Sequence, residues 1–220
     1  FTAIILTFGF LATLSKFLST GRKKIIVLML FFLISVAFTY SRASYLALLA
    51  GATLISIYKK KLSIILAIGA VFTFFVIFLP RPLGEGVKLE RTSSVYPKIQ
   101  NYKDSLTLIK KFPLFGVGFN NICLAKQKFL GPSNIYSHSC SGLDSSLLFL
   151  FATGGIVGFI SFLSLIINLG KNLEKNFLGE TVKSSFLALL VHGSFSNSIF
   201  YAWVMGWFAI LLAISLKEKT

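Results

Sequence analysis

The sequence predicts an all-α, polytopic membrane fold of about seven spanning helices with one large extracytoplasmic loop. Three observations carry that expectation. Of 220 residues, 55% are hydrophobic and 24 are Phe, and the mean hydropathy is +0.81, beyond what a soluble core uses. Much of the formal charge of +15 sits in short stretches between apolar runs, where the positive-inside rule accounts for it, so nucleic acid is not implied. A single long polar, basic and turn-rich stretch, 80–143, interrupts the apolar blocks, and any chemistry is expected there. The expected organisation is three-part: N-terminal spanning helices over 1–79, the loop over 80–143, and C-terminal spanning helices over 144–220.

Phe1 opens inside an apolar run, so further helices are expected before it, and the run to Leu18 lacks the charged lead and cleavage site of a signal peptide. Lys16, Arg22, Lys23 and Lys24 then mark a cytoplasmic turn. Two apolar segments, 25–38 and 45–58, flank a short outer turn holding Ser41 and Arg42, and Lys59, Lys60 and Lys61 return the chain to the cytoplasm. Segment 62–79 spans outward and is ended by Pro80, Pro82, Gly84 and Gly86.

Inside the loop, Ile99, Tyr102, Leu106 and Ile109 recur at helical spacing, predicting an amphipathic helix against the bundle or the lipid surface that Pro113 stops. Residues 114–121 read as a glycine-bearing turn and the rest, to Leu143, as irregular. Cys123 and Cys140 both fall in the loop and could pair if it faces an oxidising compartment. Segment 145–169 spans next, and Gly154, Gly155 and Gly158 suit close helix packing. After a basic inner loop with Lys171, Lys175 and Lys183, residues 184–216 are too many for one span; the small and polar residues 193–198 predict a tight helical hairpin turning near the outer face.

Five residues stand out as candidates for chemistry. Arg42, at the outer end of a hydrophobic helix pair, either snorkels to lipid phosphate or clamps an anion bidentately. Arg91 precedes the amphipathic helix, and taken alone is one more solvated cation. His138 is the one histidine outside the spans, with an intrinsic pKa suited to proton transfer. Asp144, at the start of a helix, is either a cap or an alternative base. His192, within an apolar helix, is explained equally well by an interhelical hydrogen bond. No metal or other cofactor is expected, because Glu85, Glu90, Asp104 and Asp144 are scattered, and no Walker loop is present.

Taken in order, several stretches resemble the O-antigen ligase and polymerase superfamily of bacterial membrane glycosyltransferases. Thr39-Tyr40-Ser41-Arg42-Ala43-Ser44 looks like its Ser-Arg turn before a leucine-rich helix. Lys111-Phe112-Pro113-Leu114-Phe115-Gly116-Val117-Gly118 looks like its Pro-Leu-Phe-Gly-x-Gly turn, and Asp144 through Gly158 like the helix that follows its histidine loop. The resemblance spans Tyr40 to Leu169. It implies a GT-C-like bundle in the bacterial inner membrane, with a polyprenyl-pyrophosphate-linked oligosaccharide as donor and a glycan, lipid or protein hydroxyl as acceptor, transferring with inversion. Arg42 and Arg91 match the arginines around the pyrophosphate, and the family histidine deprotonates the acceptor. Here the pattern departs: that histidine would fall near Leu143, with Asp144 in place of the following Asn. Either the loop folds back so that upstream His138 fills the same space, or Asp144 takes the base role; His138 is preferred. Two other classes compete. A transporter or flippase of lipid-linked glycans would line a polar path with Arg42 and His192, and requires matching broken helices in two repeats that the sequence does not display. A scaffold would use the basic loop only to bind anionic lipid or a partner.

Overall fold

The computed structural model describes residues 2–80, 84, 87–90, 92–93, 95–131, 140 and 142–217. Among these the regular elements are all helices: α1 Thr2–Thr20, α2 Lys24–Ala37, α3 Arg42–Tyr58, α4 Ser63–Phe78, α5 Val95–Lys111, α6 Ile122–Leu130, α7 Ser146–Asn172, α8 Phe177–Phe195 and α9 Ala202–Lys217. Two compact units result, one of Phe1–Glu90, Asn172–His192 and Tyr201–Thr220, the other of Arg91–Lys171 and Gly193–Phe200.

The first unit is built around α1, whose Ile4, Phe8, Leu11 and Leu14 are fully buried against α2 and α3. Gly51 on α3 makes the approach possible: a Cβ there would lie 2.5 Å from the Leu11 side chain and 3.1 Å from the Ser184 carbonyl. Phe8 also stacks near Trp207 of α9, ring centroids 5.2 Å apart, and Val182 of α8 shares a cluster with Leu211 of α9, as a helical hairpin requires. Helix α4 is apolar all round, yet only Ile68 and Phe72 are buried while Leu66, Phe74, Ile77 and Phe78 stand exposed. Such a helix needs an apolar surrounding rather than water.

Polar contacts gather the helix ends of this unit into two sets. Ser15, in the last turns of α1, donates to the Phe177 carbonyl (3.0 Å) and to Glu180 (3.2 Å), and Lys59, just past α3, forms an ion pair with Glu180 at 2.7 Å. Lysine-bearing turns distant in sequence therefore meet at one end. At the other, the Tyr40 hydroxyl donates to the Pro80 carbonyl, joining the turn before α3 to the residue that closes α4.

By length and composition α1 and α7 can cross a membrane; α2, α3, α4 and residues 202–216 are apolar but shorter. Their 14 to 17 residues extend about 21–26 Å against a hydrocarbon core of about 30 Å.

In the second unit, Ile122, Leu143, Phe149 and Ala152 form the core, with Ile109, Val117 and Phe200 packed around it. Three readings of the sequence are corrected here. Residues 122–130 form α6 instead of irregular chain. On α5 the predicted stripe is split: Ile109 packs on the core and Tyr102 is half-buried, whereas Ile99 and Leu106 are exposed, and the fully buried residues are Asn101, Ser105 and Leu108. The glycines of α7 are not a packing face: a Cβ at Gly154 or Gly158 would meet nothing within 4 Å.

Gly155 instead breaks the helix. Its backbone (φ 62°, ψ −163°) is open in practice to glycine alone. In an unbroken helix the N–H groups of Ile156 and Val157 would donate to Ala152 and Thr153. Here they donate to the carbonyls of Pro113 (2.8 Å) and Leu114 (3.2 Å), while the carbonyls of Ala152 and Thr153 accept from Val117 (2.8 Å) and Gly118 (3.0 Å). The turn 113–118 thus inserts into the break, and each lost helical bond is replaced by two. Gly116 (φ 68°) is required on the opposite side, because a Cβ there would lie 2.5 Å from the Thr153 backbone.

Candidate functional site

Helix α3 begins where the sequence placed the outer turn. Tyr40 takes a left-handed backbone (φ 49°), and Ser41 caps the helix, its Oγ accepting from the Ser44 N–H at 3.4 Å and from the Ser44 hydroxyl at 2.9 Å. Arg42 is the first helical residue and is exposed. A cation at a helix N-terminus opposes the macrodipole.

In the second unit, Asp144 lies in the segment leading into α7, and that segment is held from two sides. From α5, Asn101 acts as a backbone mimic: its Oδ1 accepts the Asp144 N–H at 2.9 Å and its Nδ2 donates to the Gly142 carbonyl at 3.3 Å. From α6, Lys126 donates to the same carbonyl at 3.2 Å. Cys123 is bonded to Cys140 in a disulfide, Cα atoms 4.6 Å apart, so α6 also grips the chain just upstream.

The electrostatics of this cluster follow from burial. Lys126 is only 4% exposed, and burial pushes its ammonium below the usual lysine range, with the carboxylates of Asp104 and Asp144 working in the opposite sense. Burial, and secondarily the charge of Asp144, raise the Tyr102 phenol, which remains a donor to the Ser194 carbonyl at 3.0 Å. Lys98 donates to the Phe195 carbonyl at 2.8 Å, and Ser146 donates to the Ser196 carbonyl while accepting the Ile199 N–H. The hairpin turn 193–200 is thereby fastened to α5 and to the start of α7.

Of the residues singled out in the sequence, Arg42 lies in the first unit and Asp144 in the second, while Arg91 and His138 fall outside the described residues. His192 is buried in α8. Asn101 and Lys126 were missed because a hydropathy reading assigns polar side chains to the solvent. Helix boundaries offered a signal for α6, since Asn121 precedes it and Gly131, at φ 107°, follows it.

The family model described as O-antigen ligase matches residues 25–163, from α2 well into α7. The chain belongs to the O-antigen ligase family. No curated protein and no solved structure gives a match. O-antigen ligase family members are inner-membrane proteins, and the family points in general to a glycan-transferring enzyme with a lipid-linked glycan donor and a glycan acceptor. The matched stretch holds the Arg42 turn, the segment at Asp144, and both the helix break and the turn that fills it.

The disulfide closes a loop over a sequence separation of 17 that contains position 138. Replacing Cys123 and Cys140 together by Ser is expected to destabilise the second unit by about 2–4 kcal/mol. Denaturant unfolding of the oxidised protein, of the double variant and of reduced wild type checks this; equal midpoints for all three would show that the loop closure contributes nothing.

Proposed function

We propose that this chain transfers an oligosaccharide from a polyprenyl pyrophosphate carrier to an acceptor hydroxyl, at the outer face of the bacterial inner membrane. The membership of residues 25–163 in the O-antigen ligase family carries the reading. In this proposal the blocks 1–79 and 144–220 supply about seven spanning segments that hold the loop 80–143 outside. Support comes from the two sets of helix ends: the Lys59 turn meets the start of α8 on the side the charge rule makes cytoplasmic, whereas the turn before α3 meets Pro80 on the other. A disulfide within the loop fits an oxidising compartment.

The acceptor oxygen attacks the anomeric carbon from the face opposite the carrier. The bond from that carbon to the phosphate oxygen breaks, its electron pair leaves with the polyprenyl pyrophosphate, and the anomeric configuration inverts. Arg42 and Arg91 stabilise the departing phosphates with fixed positive charge, and His138 or Asp144 takes the acceptor proton. The scatter of carboxylates along the sequence favours guanidinium over metal in the charge-stabilising role.

In liposomes carrying the lipid-linked oligosaccharide and an acceptor, wild type is expected to release polyprenyl pyrophosphate and form product. Arg42→Ala should lose about a hundredfold or more in kcat, the range for removing a charge stabiliser. Intact lipid crossing the bilayer without product would replace transfer by transport, and an Arg42→Ala variant as active as wild type would remove Arg42 from the site.

A further inference from the structure

We infer that Lys126 is a positioning residue for the transfer reaction, fixing the 142–144 backbone from α6 so that the Asp144 carboxylate is set in place. The inference rests on the transfer reading and extends it to a side chain outside the family's motif stretches described above. Three observations converge on it. Lys126 is buried on the inner face of α6 beside Ile122 and Ala125, where an apolar residue would suit the fold better than an ammonium. Its Nζ reaches the Gly142 carbonyl, which Asn101 also holds while accepting the Asp144 N–H. One turn earlier on the same helix, Cys123 already ties α6 to Cys140, so the fold does not depend on a second tether at this point.

What an ammonium supplies and a methionine of similar size does not is a donor to Gly142 and a positive charge facing Asp144. Tyr102 on α5 and Lys126 on α6 both feel the charge of Asp144, and Asp104 of α5 also acts on Lys126. Lys126 therefore contributes a cation to this cluster. A desolvated ammonium retained where packing alone would prefer carbon is accounted for by the segment it aims.

The test uses the full chain in liposomes, comparing wild type, Lys126→Met and Lys126→Arg by unfolding, amide hydrogen exchange and transfer kinetics normalised to folded protein. For Lys126→Met the unfolding midpoint is expected to be unchanged or raised, and the Asp144 amide to exchange about tenfold faster or more. Its kcat should fall about thirtyfold or more with KM within about threefold, and Lys126→Arg should restore most of it. A Lys126→Met enzyme with wild-type kcat, one losing activity only in step with stability, or one that Arg does not rescue overturns the inference. If wild type transfers nothing, the transfer reading falls and the positioning role with it. Exchange at Asp144 then decides by itself whether Lys126 holds the segment.

Discussion

Gly155→Ala is expected to destabilise the second unit by about 3 kcal/mol or more, which for a unit of this size is a large share of its stability. Two costs combine. The backbone at φ 62°, ψ −163° is one that an L side chain avoids, and the added Cβ would collide with the Leu114 carbonyl, a backbone atom that cannot rotate aside. Relief would require withdrawing the turn 113–118, which would strand the N–H groups of Ile156 and Val157 and the carbonyls of Ala152 and Thr153. Gly154→Ala and Gly158→Ala are the controls. Nothing lies within 4 Å of either new methyl, so both should be neutral or stabilising by a few tenths to about 1 kcal/mol. Trypsin cleavage at Lys110, Lys111 and Lys128, together with denaturant unfolding, reads the difference. A Gly155→Ala protein as resistant as Gly154→Ala would mean that the break is not needed.

The contrast among these glycines shows how far the sequence reaches. Hydropathy and charge located α1 to α4 to within a few residues, because Lys59, Lys60, Lys61 and Pro80 act locally on the chain that contains them, whereas α8 begins at Phe177, inside the stretch read as an inner loop. Ser41 was legible as the turn before α3 for the same reason. The break in α7 was not, since nothing at Gly155 differs in composition from Gly154 or Gly158. Its cause is a turn some forty residues upstream that donates its own backbone. The buried face of α5 escaped for a related reason: Asn101 is inside because its amide copies a backbone pair, a geometry that hydropathy counts as exposure. Sequence reasoning thus recovered what a segment does by its own composition, and missed what it does for a distant partner's hydrogen bonds.

Loss of the proton acceptor is expected to produce the larger catalytic effect, about a hundredfold to ten-thousandfold in kcat, and comparing His138→Ala with Asp144→Asn decides which residue bears that role. Asp144→Asn keeps the backbone N–H that Asn101 accepts and removes only the charge, so the held segment should survive while Lys126 loses one of its two facing carboxylates. If His138 is the base, His138→Ala should lose the full factor with KM little changed, and Asp144→Asn should lose a smaller one, as expected of a carboxylate that orients and balances charge. The reverse order would make Asp144 the base and reduce His138 to a neighbour. The disulfide supplies an independent handle, because position 138 lies within the loop that Cys123 and Cys140 close, whereas Asp144 is held in addition by Asn101. Reduction should therefore lower kcat strongly if the base is His138 and only weakly if it is Asp144. Agreement between the reduction experiment and the two substitutions would fix the base from independent directions; substitutions that implicate His138 while reduced enzyme keeps full activity would show that the disulfide does not position it.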